Sequence, residues 1–171
     1  MTRLSGKRMV ITGSSRSLGR EFALACAREG AALVLNGTNL DALKETEAEI
    51  RALGSQVCSV AGSVADEVVC QSLVQTCVDR FGGIDVMVCN AGIVRDRTLL
   101  KMTADQFDEV IEVNLRGPFL CMQKAALAMA GQESGGKIIH ITSASGLVGN
   151  FGQTNYAASK AGLIGMMYTA V

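Results

Sequence analysis

The sequence predicts an α/β fold in which a doubly wound sheet of parallel strands is covered by helices on both faces. Short apolar segments alternate with longer segments of helical periodicity from the first residues onward, a pattern typical of parallel sheets. A glycine-containing turn joins the first strand to the first helix, as in Rossmann-like folds. The 171 residues are 49% apolar and 19% charged, which suits one globular domain with a sizeable core.

The predicted strands and helices follow each other in strict alternation. We expect strands at 7–12, 32–36, 56–61, 84–89 and 137–142. We expect helices at 18–29, 40–53, 67–81, 104–130 and from 155 onward, and the second, third and fourth begin at the caps Asn39, Asp66 and Thr103. Pro118 marks a kink or a junction within the fourth helix. Right-handed crossovers give the strand order 3-2-1-4-5.

The fifth predicted strand is almost wholly apolar, as a central strand would be, yet no further strand follows it before Val171. It would therefore form an edge of the sheet. We expect residues 1–171 to form a single dinucleotide-binding and catalytic domain that is truncated at its C-terminus, with the last strands of the sheet missing.

Charge and cysteine content exclude several classes of function. Sixteen basic residues balance sixteen acidic ones without forming a block, which argues against a nucleic-acid partner. No apolar run reaches the length of about 18 residues that a membrane span needs. With a single histidine, His140, and six cysteines without a C-x-x-C pair, we expect no metal site and reduced, buried thiols in a cytoplasmic protein.

The turn at 12–19 (TGSSRSLG) can present backbone N–H groups and a helix N-terminus to a phosphate. Gly13 permits the tight turn, and Gly19 allows the helix to pack closely on the sheet. Ser17 stands where the usual pattern has its middle glycine. The alternative is an ordinary glycine-rich turn, and the position between the first strand and the first helix favours the phosphate-binding interpretation.

The end of the second predicted strand bears on the choice of cofactor. NAD-binding folds usually carry an acid about 20 residues past the glycines, where it holds the ribose 2′-hydroxyl. Residues 36–39 read NGTN, and Asp41 stands in the first turn of the following helix, where it opposes the helix dipole. Arg16 could meet a 2′-phosphate. The sequence therefore favours NADP(H) over NAD(H).

Tyr156 and Lys160 lie four residues apart and share one face of the last predicted helix. A free phenol has a pKa of about 10, and a neighbouring ammonium lowers it, which permits general acid or base catalysis. The alternative is a solvated pair without chemistry. Ser143 at the end of the fifth strand could bind a substrate oxygen, although it could equally form a turn, with Thr142 and Ser145 as rivals.

Taken together, the motifs resemble the short-chain dehydrogenase/reductase family over essentially the whole chain. Their order is TGSSRSLG at 12–19, NAG at 90–92, Asn114, Ser143 and YAASK at 156–160. The segments NAGIVRDRTLLKM and GLVGNFGQTNYAASKAGLIG look particularly like 3-oxoacyl-[acyl-carrier-protein] reductases and the related acetoacetyl-CoA reductases.

The resemblance implies four catalytic residues. Tyr156 would protonate a carbonyl as hydride arrives from the nicotinamide, and Ser143 would orient that carbonyl. Lys160 would bind the nicotinamide ribose and lower the tyrosine pKa, while Asn114 would hold a water that links Lys160 to solvent. Tyr156 and Lys160 would also contact the cofactor, together with Gly13, Ser15, Arg16, Ser17, Leu18, Gly19, Val64, Asn90, Ala91 and Gly92. Val64 would lie near the adenine.

The resemblance further implies a small-molecule or acyl-thioester substrate, most simply a 3-oxoacyl thioester, and assembly into a homodimer or homotetramer through the last two long helices. Three positions depart from the family pattern: Ser17, Cys89 in place of an Asn, and Ser63 in place of an Asp. Two other classes stay open. One is a non-catalytic dinucleotide-binding or interaction protein, and the other is a methyltransferase on a similar sheet.

Overall fold

The computed structural model describes residues 2–170 of the chain. Its strands are β1 (Arg8–Ile11), β2 (Ala32–Gly37), β3 (Val57–Ala61), β4 (Val86–Cys89) and β5 (Lys137–His140). Within these residues they form one parallel sheet in the order β3-β2-β1-β4-β5. The predicted α/β class and the order 3-2-1-4-5 are confirmed, and β5 lies at the edge of the described sheet.

Helices connect the strands on both faces of the sheet. They are α1 (Ser17–Arg28), α2 (Leu40–Ala52), α3 (Glu67–Phe81), α4 (Ala104–Ile111), α5 (Gly117–Ala130), α6 (Ser145–Val148) and α7 (Thr154–Thr169). The predicted caps are present, because Asn39 accepts a hydrogen bond from the Ala42 N–H at 3.0 Å and Asp66 accepts one from the Val68 N–H at 2.8 Å. Thr103 forms a complete capping box with its third helical residue.

The helix predicted at 104–130, with a kink or a junction between two helices at Pro118, is divided, but the division precedes the proline. A π-helical segment, Glu112–Arg116, separates α4 from α5. Pro118 lies in the first turn of α5 and has no N–H, while the preceding Gly117 N–H bonds to the Glu112 carbonyl oxygen in the wider π pattern. The interruption therefore precedes the proline and consists of a wider helical turn, which carries Asn114.

The fifth strand is shorter than predicted, since it ends at His140 and not at 142. Ser143 therefore lies three residues beyond the strand, just before α6, a helix that was not predicted. A 3₁₀ turn, Leu99–Lys101, was likewise not predicted. The last helix begins at Thr154, one residue earlier than expected.

The central strands send alternate side chains to two apolar layers. Val10 and Met87 pack on the face covered by α3 and α5, while Ile11 and Leu35 pack on the face covered by α1 and α2. Four of the six cysteines are buried and two are half-buried, and all six are free thiols. Burial raises the pKa of the Cys77 thiol to about 12, so it behaves as an apolar side chain.

Among residues 2–170, no helix is both long enough and apolar enough to cross a membrane.

Candidate active site

An open cleft of about 590 Å³ lies at the carboxyl edge of the sheet. The loops that follow β1, β2, β3 and β4 border it. β1 and β4 are neighbours in the sheet, and the chain continues from β1 to β2 on one side and from β4 to β5 on the other. Folds of this class bind ligands at such a switch point. The cleft is lined by ten of the predicted cofactor residues: Gly13, Ser15, Arg16, Ser17, Leu18, Gly19, Val64, Asn90, Ala91 and Gly92.

The turn between β1 and α1 is locked to the loop after β4. The Asn90 side chain donates to the carbonyl oxygens of Thr12 and Gly13 at 2.9 and 3.2 Å. A Cβ atom at Gly13 would lie 2.8 Å from the Ala91 Cα, and one at Gly19 would overlap the Gly13 carbonyl oxygen. Both glycines are therefore required by the close packing of the turn, as the sequence predicts.

Asn36, at the end of β2, is a structural clamp that the sequence prediction missed. Its buried amide donates to the carbonyl oxygens of Val60 and Gly62 at 3.1 and 3.0 Å, and its oxygen accepts from the Gly13 N–H at 3.4 Å. Three of the loops that border the cleft are joined through this one side chain. Asn36 lines the cleft, and its hydrogen bonds to backbone hold its side chain in place.

Two polar side chains near the end of β2 remain free to meet a ligand. Arg16 and Thr38 are exposed and line the cleft, and Arg16 makes no ion pair or side-chain hydrogen bond with any residue between 2 and 170. The first N–H groups of α1 have no partner within the helix, and within the described chain no side chain caps it and no acid lies in its first turn. This arrangement fits a dinucleotide with an additional phosphate.

Tyr156 and Lys160 lie close together on α7. They do not form the solvent-exposed pair that was the alternative interpretation of their spacing. Lys160 is only 4% exposed, donates to the Ile141 carbonyl oxygen at 2.7 Å and lies 5.6 Å from the centre of the Tyr156 ring. Burial lowers the pKa of the Lys160 ammonium, an effect that nearby Cys89 partly opposes. The Tyr156 hydroxyl makes no hydrogen bond to another described residue.

Asn114 links the π-helical segment to the loop after β4. Its side chain is fully buried, accepts from the Ile93 N–H at 2.8 Å, and donates to the Ile93 carbonyl at 2.9 Å and to Ser159 Oγ at 3.4 Å. Both amide protons are thus in use, whereas the amide oxygen accepts a single hydrogen bond within the described chain and retains a second acceptor site. Gly92 lies between this side chain and Lys160, since a Cβ there would be 3.3 Å from Asn114 Oδ1 and 3.8 Å from Lys160 Nζ.

Ser143 is half-buried, and its Oγ accepts a hydrogen bond from the Ser145 N–H at 3.2 Å. The Ser145 hydroxyl donates to Gln153 Oε1 at 3.1 Å, so Ser145 is engaged in the loop. The four predicted catalytic residues do not line the cleft itself. Asn114 and Lys160 adjoin it through Gly92, and Ser143 and Tyr156 belong to the α6 and α7 region that packs beside them.

Asn155, the residue before Tyr156, is a second clamp that sequence reasoning missed. Its buried amide donates to the carbonyl oxygens of Arg95 and Gln106 at 3.1 and 3.0 Å. Its oxygen accepts from the Tyr156 N–H at 2.8 Å. The start of α7 is therefore tied both to the loop after β4 and to α4.

In the part of the chain that the structure describes, no group of three or more His, Cys, Asp or Glu side chains is placed to hold a metal ion.

The parallel sheet, its switch-point cleft and the buried lysine beside a tyrosine define a doubly wound α/β protein with a dinucleotide-type site. Residues 7–170 match the short chain dehydrogenase family. The chain is 42% identical over 170 residues to a 3-oxoacyl-[acyl-carrier-protein] reductase of Synechocystis sp., covering 99% of this chain and 68% of the relative. It is 42% identical over 166 residues to the FabG reductase of that name from Staphylococcus aureus, covering 96% and 67%.

Solved structures agree with these relatives. A short chain dehydrogenase from Mycobacterium avium superposes with a TM-score of 0.93 at 38% identity, covering 98% of this chain and 62% of that one. Levodione reductase superposes with a TM-score of 0.93 at 33% identity, covering 98% and 66%. The chain belongs to the short chain dehydrogenase family, and it spans about two thirds of the length of these relatives.

Proposed function

We propose that the chain forms the cofactor-binding and catalytic part of an NADP(H)-dependent oxidoreductase that transfers hydride between the nicotinamide and a carbonyl or secondary alcohol. The observation that carries the proposal is the buried Lys160 ammonium beside the free Tyr156 hydroxyl, next to a cleft suited to a dinucleotide. A purely dinucleotide-binding protein would have no need to bury a cation there, because burial of an ammonium is unfavourable.

Three features support NADP(H) as the cofactor, which supplies or accepts the hydride when bound. Arg16 lines the cleft without an acidic partner in the described residues, and Thr38, the residue after β2, lines the same cleft. Asn36 occupies the end of the strand, where NAD-binding relatives of the fold usually carry an acid, and its amide is bonded to backbone. A guanidinium suits a 2′-phosphate because it forms strong bidentate hydrogen bonds to phosphate.

Three side chains, those of Tyr156, Lys160 and Ser143, have the remaining roles in the proposed reaction. The Tyr156 hydroxyl donates its proton to the substrate oxygen in reduction and takes it back in oxidation. The Lys160 ammonium favours the phenolate that forms when the proton leaves. The Ser143 hydroxyl donates a hydrogen bond to the same substrate oxygen, since its own oxygen already accepts from Ser145 and its proton remains available.

A 3-oxoacyl thioester is the substrate that we propose. Support comes from the two reductases of this name to which the chain is 42% identical. The segment that carries Ser143 and Tyr156 also exposes three large apolar side chains, Leu147, Val148 and Phe151, which could contact an acyl chain. The cytoplasmic location and the homodimer or homotetramer stay predictions from the sequence.

The decisive substitution is Tyr156→Phe, which removes the proton donor and keeps the ring over Lys160. Consumption of NADPH with a 3-oxoacyl thioester should fall roughly 100- to 10,000-fold, while NADPH affinity, measured by fluorescence titration, should be little changed. Tyr168→Phe is the matched control, because Tyr168 lies on the same helix, is 74% exposed and should leave turnover unaltered. Turnover near the wild-type rate in Tyr156→Phe would contradict the catalytic assignment. NADPH binding without any wild-type turnover would favour a non-catalytic dinucleotide-binding protein.

A further inference from the structure

Ser17, the first residue of α1, has an unusual backbone conformation. Its φ is +50°, and among the described residues it is the one non-glycine with a positive φ. This left-handed conformation is unfavourable for a residue with a side chain. Ser17 stands where the family pattern has a glycine, the residue that adopts a positive φ most readily.

The three positions of the glycine pattern, Gly13, Ser17 and Gly19, differ in the space that surrounds them. At Gly13 and Gly19 an added Cβ would collide with backbone atoms of the turn or of the loop after β4. Ser17 is instead exposed and lines the cleft. Gly13 and Gly19 therefore have to be glycine because a side chain would not fit, whereas the Ser17 side chain lies on the side of the turn that faces the cleft.

The Ser17 hydroxyl is chemically available at this place. No residue in the described part of the chain forms a hydrogen bond with it. It lies at the start of α1, where the N–H groups of the first turn have no side-chain cap and carry the positive end of the helix dipole. A hydroxyl has one rotatable donor, and an anion at a helix N-terminus accepts from such donors as readily as from backbone N–H groups.

We propose that the Ser17 hydroxyl donates a hydrogen bond to a pyrophosphate oxygen of the bound dinucleotide, a contact that the usual glycine cannot make. The inference rests on the proposed function, because it requires that the cleft binds a nicotinamide dinucleotide. The left-handed backbone at Ser17 is part of the folded chain itself, so its unfavourable energy affects folding. The hydrogen bond exists in the complex alone, so it affects affinity.

Two substitutions separate these effects. Ser17→Ala removes the hydroxyl and keeps the Cβ atom, whereas Ser17→Gly removes both. Loss of a hydrogen bond to a charged group should weaken binding about tenfold. We therefore expect both variants to bind NADPH about tenfold more weakly than wild type. We expect only Ser17→Gly to melt at a higher temperature than wild type without ligand, because glycine relieves the left-handed conformation.

The measurements are fluorescence titrations with NADPH and with NADH, together with thermal unfolding of the ligand-free proteins. A pyrophosphate contact predicts the same loss of affinity for both dinucleotides in Ser17→Ala. Arg16→Ala should weaken NADPH far more than NADH, and Ser72→Ala, a serine on α3 whose hydroxyl bonds Val68, should change neither.

Three outcomes would overturn the inference. Wild-type affinity in Ser17→Ala would show that the hydroxyl makes no contact, and tighter binding in Ser17→Gly would show that the side chain obstructs the cofactor. A loss confined to NADPH would place the contact at the 2′-phosphate and not at the pyrophosphate. Each of these leaves the proposed function intact, whereas a wild-type chain that binds neither NADPH nor NADH would overturn both.

Discussion

The phosphate-binding turn and the start of the catalytic helix are held in place by different contacts, although buried amides such as Asn36 and Asn114 bond to backbone on both sides of the cleft. On the side of β1 and β2, the turn and the neighbouring loops approach so closely that two glycines leave no room for a Cβ atom. On the side of β5 and α7, the elements are joined by buried side chains, since Asn114 and Asn155 bond to backbone groups of distant segments and Lys160 donates to Ile141.

This difference predicts opposite sensitivities. Close backbone packing fails when atoms are added, because neighbouring backbone cannot move aside without distortion. A scaffold of buried amides fails when atoms are removed, because each lost amide leaves backbone groups without a partner. The turn at Gly13 and Gly19 should therefore be sensitive to insertion of a methyl group, and the start of α7 to truncation of Asn155.

The largest effect should come from Gly19→Ala. The new methyl group would overlap the Gly13 carbonyl oxygen and the Asn90 side chain, so the turn would have to open. We expect a loss of about 3 kcal/mol in the free energy of unfolding in urea, together with weaker NADPH binding.

The control for this substitution is Gly165→Ala in α7, where nothing lies within 4 Å of the added Cβ. Because alanine is the better helix former, stability should rise by about 0.5–1 kcal/mol. If Gly19→Ala were as stable as wild type, close packing would not be what determines this side of the cleft.

A smaller effect should follow from Asn155→Ala. The truncation leaves the carbonyl oxygen of Arg95 without its side-chain donor, removes the second hydrogen bond to Gln106 in α4, and releases the start of α7, which carries Tyr156. We expect a loss of about 2 kcal/mol in the free energy of unfolding. Turnover should fall roughly 10- to 100-fold, because small displacements of a catalytic group are costly.

Asn150→Ala is the matched control, since the Asn150 amide makes a single exposed hydrogen bond to Gln153. It should change stability and turnover little. Equal effects of the two truncations, or an unchanged kcat in Asn155→Ala, would show that the amide does not position the catalytic helix.

Much of this architecture could be predicted because its determinants are local in the sequence. The caps at Asn39, Asp66 and Thr103 each bond a group two or three residues away, and periodicity locates the strands between them. The cleft-lining residues follow from the turn motif and from the rule that ligands bind at the switch point. The predicted roles of these residues remain to be tested by substitution.

The features that were missed depend on long-range contacts or on short segments. Asn155 bonds residues 60 and 49 positions away, and Asn36 bonds residues 24 and 26 positions away, so no local pattern indicates their partners. The π-helical segment is five residues long, and over so short a stretch its apolar periodicity does not differ visibly from that of an α-helix. The four-residue α6 is likewise too short for a periodic signal.

The smallest predicted effect concerns the outer edge of the catalytic side, at His140 on β5. Both ring nitrogens are buried and have no partner among the described residues, in a groove between β5, α5 and α7. Burial lowers the pKa of His140, and the nearby Lys160 ammonium lowers it further. The folded chain therefore resists protonation of this ring, whereas the unfolded chain takes up a proton at a pH of about 6.5.

Since the unfolded state binds more protons below this pH, the free energy of unfolding should decrease as the pH falls from 7 to 5. One histidine contributes at most about 1.4 kcal/mol per pH unit. His140→Phe should reduce the slope of stability against pH in this window, measured by urea unfolding at several pH values. The pKa of Asp85 and that of Glu67 are lowered by their partners Arg8 and Lys124, so these carboxylates contribute at more acidic pH. An unchanged slope between pH 7 and 5 in His140→Phe would mean that His140 does not make the stability of this edge of the sheet depend on pH.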